Sequence, residues 1–167
     1  MRIDIDLLIR YDLKMKSPIR KHLPHEVPLW IDLGKEVYFI TVCGEPRGAN
    51  QFARSEIADR IFETFVYRNG AKVWFVHFGL LMPDHVHLLV SFPQSGKRVQ
   101  TIISKWKEWT SKSLGIQWQR DFFEHRLRRK ESYREKADYI WANPVRGGLV
   151  SRIEDWPFAF IGETQSR

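Results

Sequence analysis

Apolar residues recur along this chain in two rhythms, and their order predicts the elements. Residues 36–43 are rich in Val, Tyr, Phe, Ile and Thr and read as a strand. Gly44, Pro46 and Gly48 make 44–50 a loop. Over 51–67, Ile57, Ile61, Phe62 and Phe65 fall three or four apart and mark one face of a helix. Asn69 and Gly70 end it. Residues 71–81 form a second strand, Pro83 and Asp84 a tight turn, and 85–92 a third strand antiparallel to the second. A loop over 93–96 leads to a helix over 98–113, with Val99, Ile102, Ile103 and Trp106 on its buried side. An extended segment over 118–128 and a helix over 132–142 follow. Ser132 and Glu135 have capping-box spacing at the start of that last helix.

Strand, helix, strand, strand, helix, strand is the split βαβ order of a ferredoxin-like core, here with an extra C-terminal helix. The expectation is an α+β fold whose antiparallel sheet packs helices on one face and leaves the other for a site. Residues 1–36, with Pro18, Pro24 and Pro28, read as an N-terminal arm, 37–158 as the domain, and 159–167 as a C-terminal tail.

Composition narrows the chemistry. The chain has 167 residues, suited to one core, and its 43% hydrophobic content excludes a disordered polymer. A formal net charge of +7 points to a polyanionic partner, nucleic acid before others. Cys43 is the only cysteine, which excludes an intramolecular disulfide and a thiolate metal cage. Any metal must take nitrogen and oxygen ligands. No apolar run is long enough to span a membrane, and Asp4, Asp6 and Asp12 interrupt any signal peptide. A cytoplasmic protein is expected, at the bacterial nucleoid if DNA is its partner.

His85-Val86-His87 lies in the third strand, where side chains alternate with period two. His85, His87, Leu89 and Ser91 therefore share one face, and apolar Val86, Leu88, Val90 and Phe92 the face toward the helices. The two imidazoles stand about 6.5 Å apart at their backbones, a spacing that suits one divalent ion. With phosphate as a further ligand, Mg²⁺ or Mn²⁺ would act as a Lewis acid. The plainer alternative is two polar residues on a solvated strand.

Tyr139 and Asn143 lie one helical turn apart, and Ser132 and Lys136 continue their stripe. Pro144 disfavours helix at Asn143, which places it at the helix end, its amide oxygen able to serve as a third metal ligand. Tyr139 is then placed to attack phosphorus, with Lys136 steadying the phosphate or lowering the phenol pKa. A phenol ionises near pH 10, so deprotonation near neutrality costs roughly 3 to 4 kcal/mol, which a cation nearby offsets. The alternative for Tyr139 is ordinary core packing, the role expected of Tyr133 and Trp141.

These residues carry a resemblance. The run Leu81-Met82-Pro83-Asp84-His85-Val86-His87-Leu88-Leu89 resembles the core motif of IS200-like transposases, in the HUH nuclease group. The run from Trp118 to His125, that from Tyr139 to Val150, and Trp156-Pro157-Phe158 resemble the subgroup called REP-associated tyrosine transposases. The likeness covers about Glu36 to Phe158. It implies a ferredoxin-like core, a divalent metal on His85, His87 and Asn143, Tyr139 as nucleophile, and single-stranded DNA with hairpins or short palindromic repeats as substrate. Monomers and homodimers are both compatible with it. Asp84 stands where the motif often has Asn, and either binds the metal or caps the turn. Glu124 and His125 either orient a ligand or pack the fourth strand.

For DNA, Arg98, Lys105 and Lys112 recur every seven positions along the second helix, followed by Arg120. Arg126, Arg128, Arg129 and Lys130 cluster before the tyrosine helix, which carries Lys136. Such patches suit backbone phosphates, and Trp106, Trp109 and Trp118 suit base stacking. The expected function is a metal-dependent single-stranded DNA endonuclease and strand transferase working through a 5′-phosphotyrosine. The alternatives are a non-catalytic single-strand binder on the same scaffold and a metal-dependent hydrolase in which Tyr139 is structural.

Overall fold

The structure is a computed structural model that describes residues 36–93, 98–127 and 133–162. Nearly all of the N-terminal arm, the end of the C-terminal tail, Ser132 of the capping box, and Arg128, Arg129 and Lys130 lie outside the described residues.

In chain order the elements are β1 (Val37–Cys43), α1 (Ser55–Gly70), β2 (Phe75–Leu81), β3 (His85–Ser91), α2 (Val99–Leu114), β4 (Phe123–Arg126), α3 (Tyr133–Trp141), α4 (Asn143–Arg146), a 3-10 turn (Ile153–Asp155) and β5 (Ala159–Ile161). The strands form one sheet in the order β4-β1-β3-β2-β5, antiparallel at every neighbouring pair. The fold is α+β. The β2–β3 hairpin closes with Met82 N–H donating to His85 O at 2.8 Å around Pro83 and Asp84. β3 thereby comes to lie between β2 and β1.

Alternation along the strands splits the apolar residues between two cores. Ile40, Val42, Val76, Leu81, Val86, Leu88 and Val90 pack with Ile61 and Phe65 of α1 and Ile102, Ile103 and Trp106 of α2. Phe65 approaches β2 so closely that a Cβ on Gly79 would lie 3.0 Å from its ring. On the opposite face, Phe39, Phe78, Leu80 and Leu89 join Tyr133 and Ile140 of α3. The face that the sequence reading leaves free is thus partly roofed by α3, because these side chains give that helix an apolar floor.

The boundaries differ from the sequence reading for local reasons. α1 begins at Ser55 rather than residue 51, and the N–H groups of Gln51 and Phe52 bond Pro83 O in the loop before it. It ends at Gly70, and Asn69 turns its amide to the next strand, bonding both the N–H and the carbonyl of Val76. β2 starts only at Phe75, after a turn with Lys72 at φ 53°. β4 is shorter than the segment 118–128 because Lys107 Nζ captures Gln119 O at 2.7 Å and Arg120 O at 2.8 Å. Residues 159–161, read as part of a tail, form β5 on the outer edge of β2. No helix among the described residues is long and apolar enough to cross a membrane.

Candidate active site

β3 presents His85 and His87 on the same side of the sheet as α3. Their rings are 4.7 Å apart between centroids and nearly perpendicular at 81°. β1 runs beside them with Thr41 opposite His87 and Cys43 opposite His85. Each imidazole is held through Nδ1. That of His85 lies 2.7 Å from Asp84 Oδ1. That of His87 lies 2.9 Å from Thr41 Oγ1. In both rings Nε2 is the nitrogen left for another ligand. Burial first, then the charge of His85, pushes the His87 pKa well below 6.5, so this ring is neutral and keeps a lone pair.

Asp84 stays a carboxylate. Burial alone would raise its pKa, but hydrogen bonds from His85 and from Gly48 N–H, with the charges of His85 and Arg47, bring it down to about 2. Gly48 N donates to Oδ2 at 2.7 Å, and Arg47 Nε lies 3.3 Å from the same oxygen.

Phe39 links the histidines to the tyrosine. Its ring centroid is 5.6 Å from that of His87 and 6.3 Å from that of Tyr139. Lys136 Nζ lies 5.7 Å from the Phe39 ring and 5.9 Å from the Tyr139 ring. Arg146 covers Tyr139 from the other element. Its Cζ is 4.1 Å from the ring centroid, and its Nη2 donates to Tyr139 O at 2.8 Å. Arg146 also contributes to lowering the His87 pKa, so its charge reaches the histidines.

Asn143 does not close the helix that bears Tyr139. α3 ends at Trp141, and Asn143 opens α4, where Pro144 sits in the first turn and its missing N–H costs nothing. The two residues stay joined: Asn143 Nδ2 donates to Tyr139 O at 3.3 Å and Ile140 O at 3.0 Å. The amide nitrogen is thus used within the helix pair, and Oδ1 is the acceptor of that side chain. Gly148, at φ +67°, turns the chain away after α4.

Among the described residues no group of three or more His, Cys, Asp or Glu is arranged to hold a metal. The donors brought together here are the two imidazole nitrogens. Such a set fits an ion that takes its remaining ligands from phosphate and water.

The basic residues divide. Lys136 lies at the tyrosine. Arg98, Lys105 and Lys112 lie exposed along α2, whose buried side packs on the sheet face opposite the histidines, and Lys112 is paired with Glu108. Arg120 is exposed before β4, and Arg126 pairs with Glu36 at 2.8 Å. Trp106 is fully buried, and Trp118 stacks on Phe52 at 4.8 Å, so neither ring is free for bases; Trp109 is the exposed one of the three. Glu124 sits opposite Ile40 on the α2 side and accepts a hydrogen bond from Gln100, which makes it part of the β4–α2 packing. His125 sits opposite Phe39, on the histidine side.

Sequence reasoning misses Thr41, Phe39, Arg47 and Arg146. Arg146 follows Asn143 by three residues and was open to the same spacing argument. Thr41 and Phe39 become visible only through the β1–β3 register.

No protein-family model matches the chain. A REP-associated tyrosine transposase of Escherichia coli strain K12 is 33% identical over 85 residues, 48% of this chain and 50% of that protein. The chain thus spans half the length of that relative. A Haemophilus influenzae protein provisionally given the same name is 28% identical over 146 residues, covering 74% of this chain and 78% of its own. A solved REP-associated tyrosine transposase bound to a REP hairpin matches with a TM-score of 0.65 at 23% identity, over 87% of this chain and 82% of that one. This chain is homologous to the REP-associated tyrosine transposases and matches them in fold.

Proposed function

We propose, from this homology as premise, that the protein is a metal-dependent single-stranded DNA endonuclease and strand transferase that works through a 5′-phosphotyrosine on Tyr139. The observation that carries the reading is the contact of Phe39 with both His87 and Tyr139, because it sets the phenol's helix on the histidine face. The β4-β1-β3-β2 order with helices after β1 and β3 supports a ferredoxin-like core as the scaffold. The relative bound to a REP hairpin supports hairpin or palindromic repeat DNA as the substrate. The protein acts as a monomer or a homodimer.

His85 and His87 offer Nε2, and Asn143 offers Oδ1, to one divalent ion. Bound there, Mn²⁺ or Mg²⁺ supplies Lewis-acid polarisation of the scissile phosphate, and the nitrogen-rich donor set favours Mn²⁺ of the two. Lys136 and Arg146 flank the Tyr139 ring and draw phosphate to it. The Tyr139 oxygen, having given its proton to water, attacks phosphorus. The bond to the 3′-oxygen of the preceding nucleotide breaks, and that oxygen takes up a proton. The 5′-phosphate stays on Tyr139, and later attack by a 3′-hydroxyl rejoins DNA without ATP.

The test is a labelled, hairpin-bearing DNA single strand incubated with the protein and Mn²⁺ and run on a denaturing gel. The expected result is a covalent protein–DNA band that Tyr139→Phe abolishes. Binding without cleavage would establish a single-strand binder instead. Cleavage that survives Tyr139→Phe would establish hydrolysis by water.

A further inference from the structure

We propose that Asp84 is a positioning residue for His85 and not a metal ligand: its carboxylate fixes the imidazole as the tautomer protonated at Nδ1 and ties that ring to the β1–α1 loop. The metal-binding consequence rests on the reading of His85 as a ligand; the tautomer does not.

Both oxygens of Asp84 are committed within the protein. Oδ1 faces His85 Nδ1 at 2.7 Å. Oδ2 accepts from Gly48 N at 2.7 Å and faces Arg47 Nε at 3.3 Å. A carboxylate accepts only, so the hydrogen between it and His85 is carried by Nδ1. In the neutral ring the Nε2 lone pair is then free, which is the form a metal requires. The backbone makes the arrangement rigid. Met82 N–H closes the hairpin on His85 O, Gly44 N–H bonds Asp84 O at 2.8 Å, and Gln51 N–H bonds Pro83 O at 2.8 Å. The turn and the loop over 44–51 are therefore stapled together, with Arg47 and Asp84 at the joint.

His87 provides the contrast within the same site. Its Nδ1 meets the neutral hydroxyl of Thr41, which donates or accepts and so does not dictate a tautomer by itself. The two imidazoles are thus held by partners of different charge. A carboxylate partner also makes the far nitrogen a stronger donor. An Asn at position 84 would keep one acceptor oxygen, lose the charge, and offer no acceptor from its amide nitrogen to Gly48 and Arg47.

The experiment uses the full chain without metal at pH 8 and reads each histidine's tautomer from long-range proton–nitrogen-15 spectra. His85→Gln assigns the signals. Wild type is expected to hold His85 protonated at Nδ1. Asp84→Ala is expected to shift it toward the Nε2-protonated form that a free imidazole prefers, with Asp84→Asn intermediate. Thr41→Val should change His87 and leave His85 as it is. Calorimetry with Mn²⁺ should show affinity about 10- to 100-fold weaker in Asp84→Ala. An unchanged His85 tautomer in Asp84→Ala overturns the proposal. So does a complete loss of Mn²⁺ binding equal to that of His85→Gln, which would make Asp84 a ligand. If Asp84→Ala does not fold, Asp84→Asn decides the same question by the same two readouts. Wild type that binds no Mn²⁺ overturns the metal reading of the site, and the tautomer alone then judges Asp84.

Discussion

Thr41 lies directly across from His87 in the β1–β3 register, and its hydroxyl oxygen is 2.9 Å from His87 Nδ1. Both residues are buried, so neither polar group has water as a substitute partner. Thr41→Val keeps the side-chain shape and strands the imidazole nitrogen. We expect a loss of roughly 1–3 kcal/mol in urea unfolding, with Thr41→Ser close to wild type. Equal stability of Thr41→Val and wild type would show that the pairing contributes nothing.

The same burial makes stability depend on pH. Burial, then the charge of His85, holds the folded His87 pKa well below 6.5, whereas the unfolded chain takes up a proton near that value. The unfolded state therefore binds more protons as pH falls below about 6.5. Stability is complete above that pH and declines by about 1.4 kcal/mol per unit below it, down to the folded pKa. Urea midpoints of the metal-free protein between pH 5 and 7.5 measure the slope. His87→Gln should flatten it, and an equal slope in both proteins would contradict the assignment.

Arg146 lies on the Tyr139 ring and bonds that residue's carbonyl. Losing it frees the phenol to sample other positions. We expect Arg146→Ala to slow covalent adduct formation about 100-fold while leaving thermal stability nearly unchanged. Arg146→Lys should recover little, because an ammonium lacks the planar stack. Single-turnover gels and a melting curve read both effects.

Lys107 tests whether basic residues can be pooled as a DNA surface. Its ammonium is spent on two backbone carbonyls at the entry to β4. Lys107→Met should cost roughly 2–3 kcal/mol of stability and leave the salt dependence of DNA binding as in wild type. A salt slope lowered by about one, with stability intact, would make it a phosphate contact.

Much of this site is legible in the chain itself. Strand alternation is enough to pair His85 with His87 and to assign Val86, Leu88 and Val90 to the other core. Helical spacing is enough to bury Ile102, Ile103 and Trp106. The neighbourhood of Tyr139 and Asn143 also follows from spacing. The break at Ala142 is invisible to it, because Pro144 ends one helix and is equally at home in the first turn of the next.

Periodicity says which way a side chain faces and nothing about which distant segment it meets. Thr41 beside His87 is a matter of register between residues 46 apart in sequence. Phe39 spanning His87 and Tyr139, Lys107 reaching the carbonyls that would otherwise extend β4, and Asp84 serving His85 and the β1–α1 loop at once all need the sheet assembled first. Each such contact depends on two surfaces packing together. The short-range order of residues along one chain segment carries the preference for its own face, and only the summed packing of several segments selects the partner.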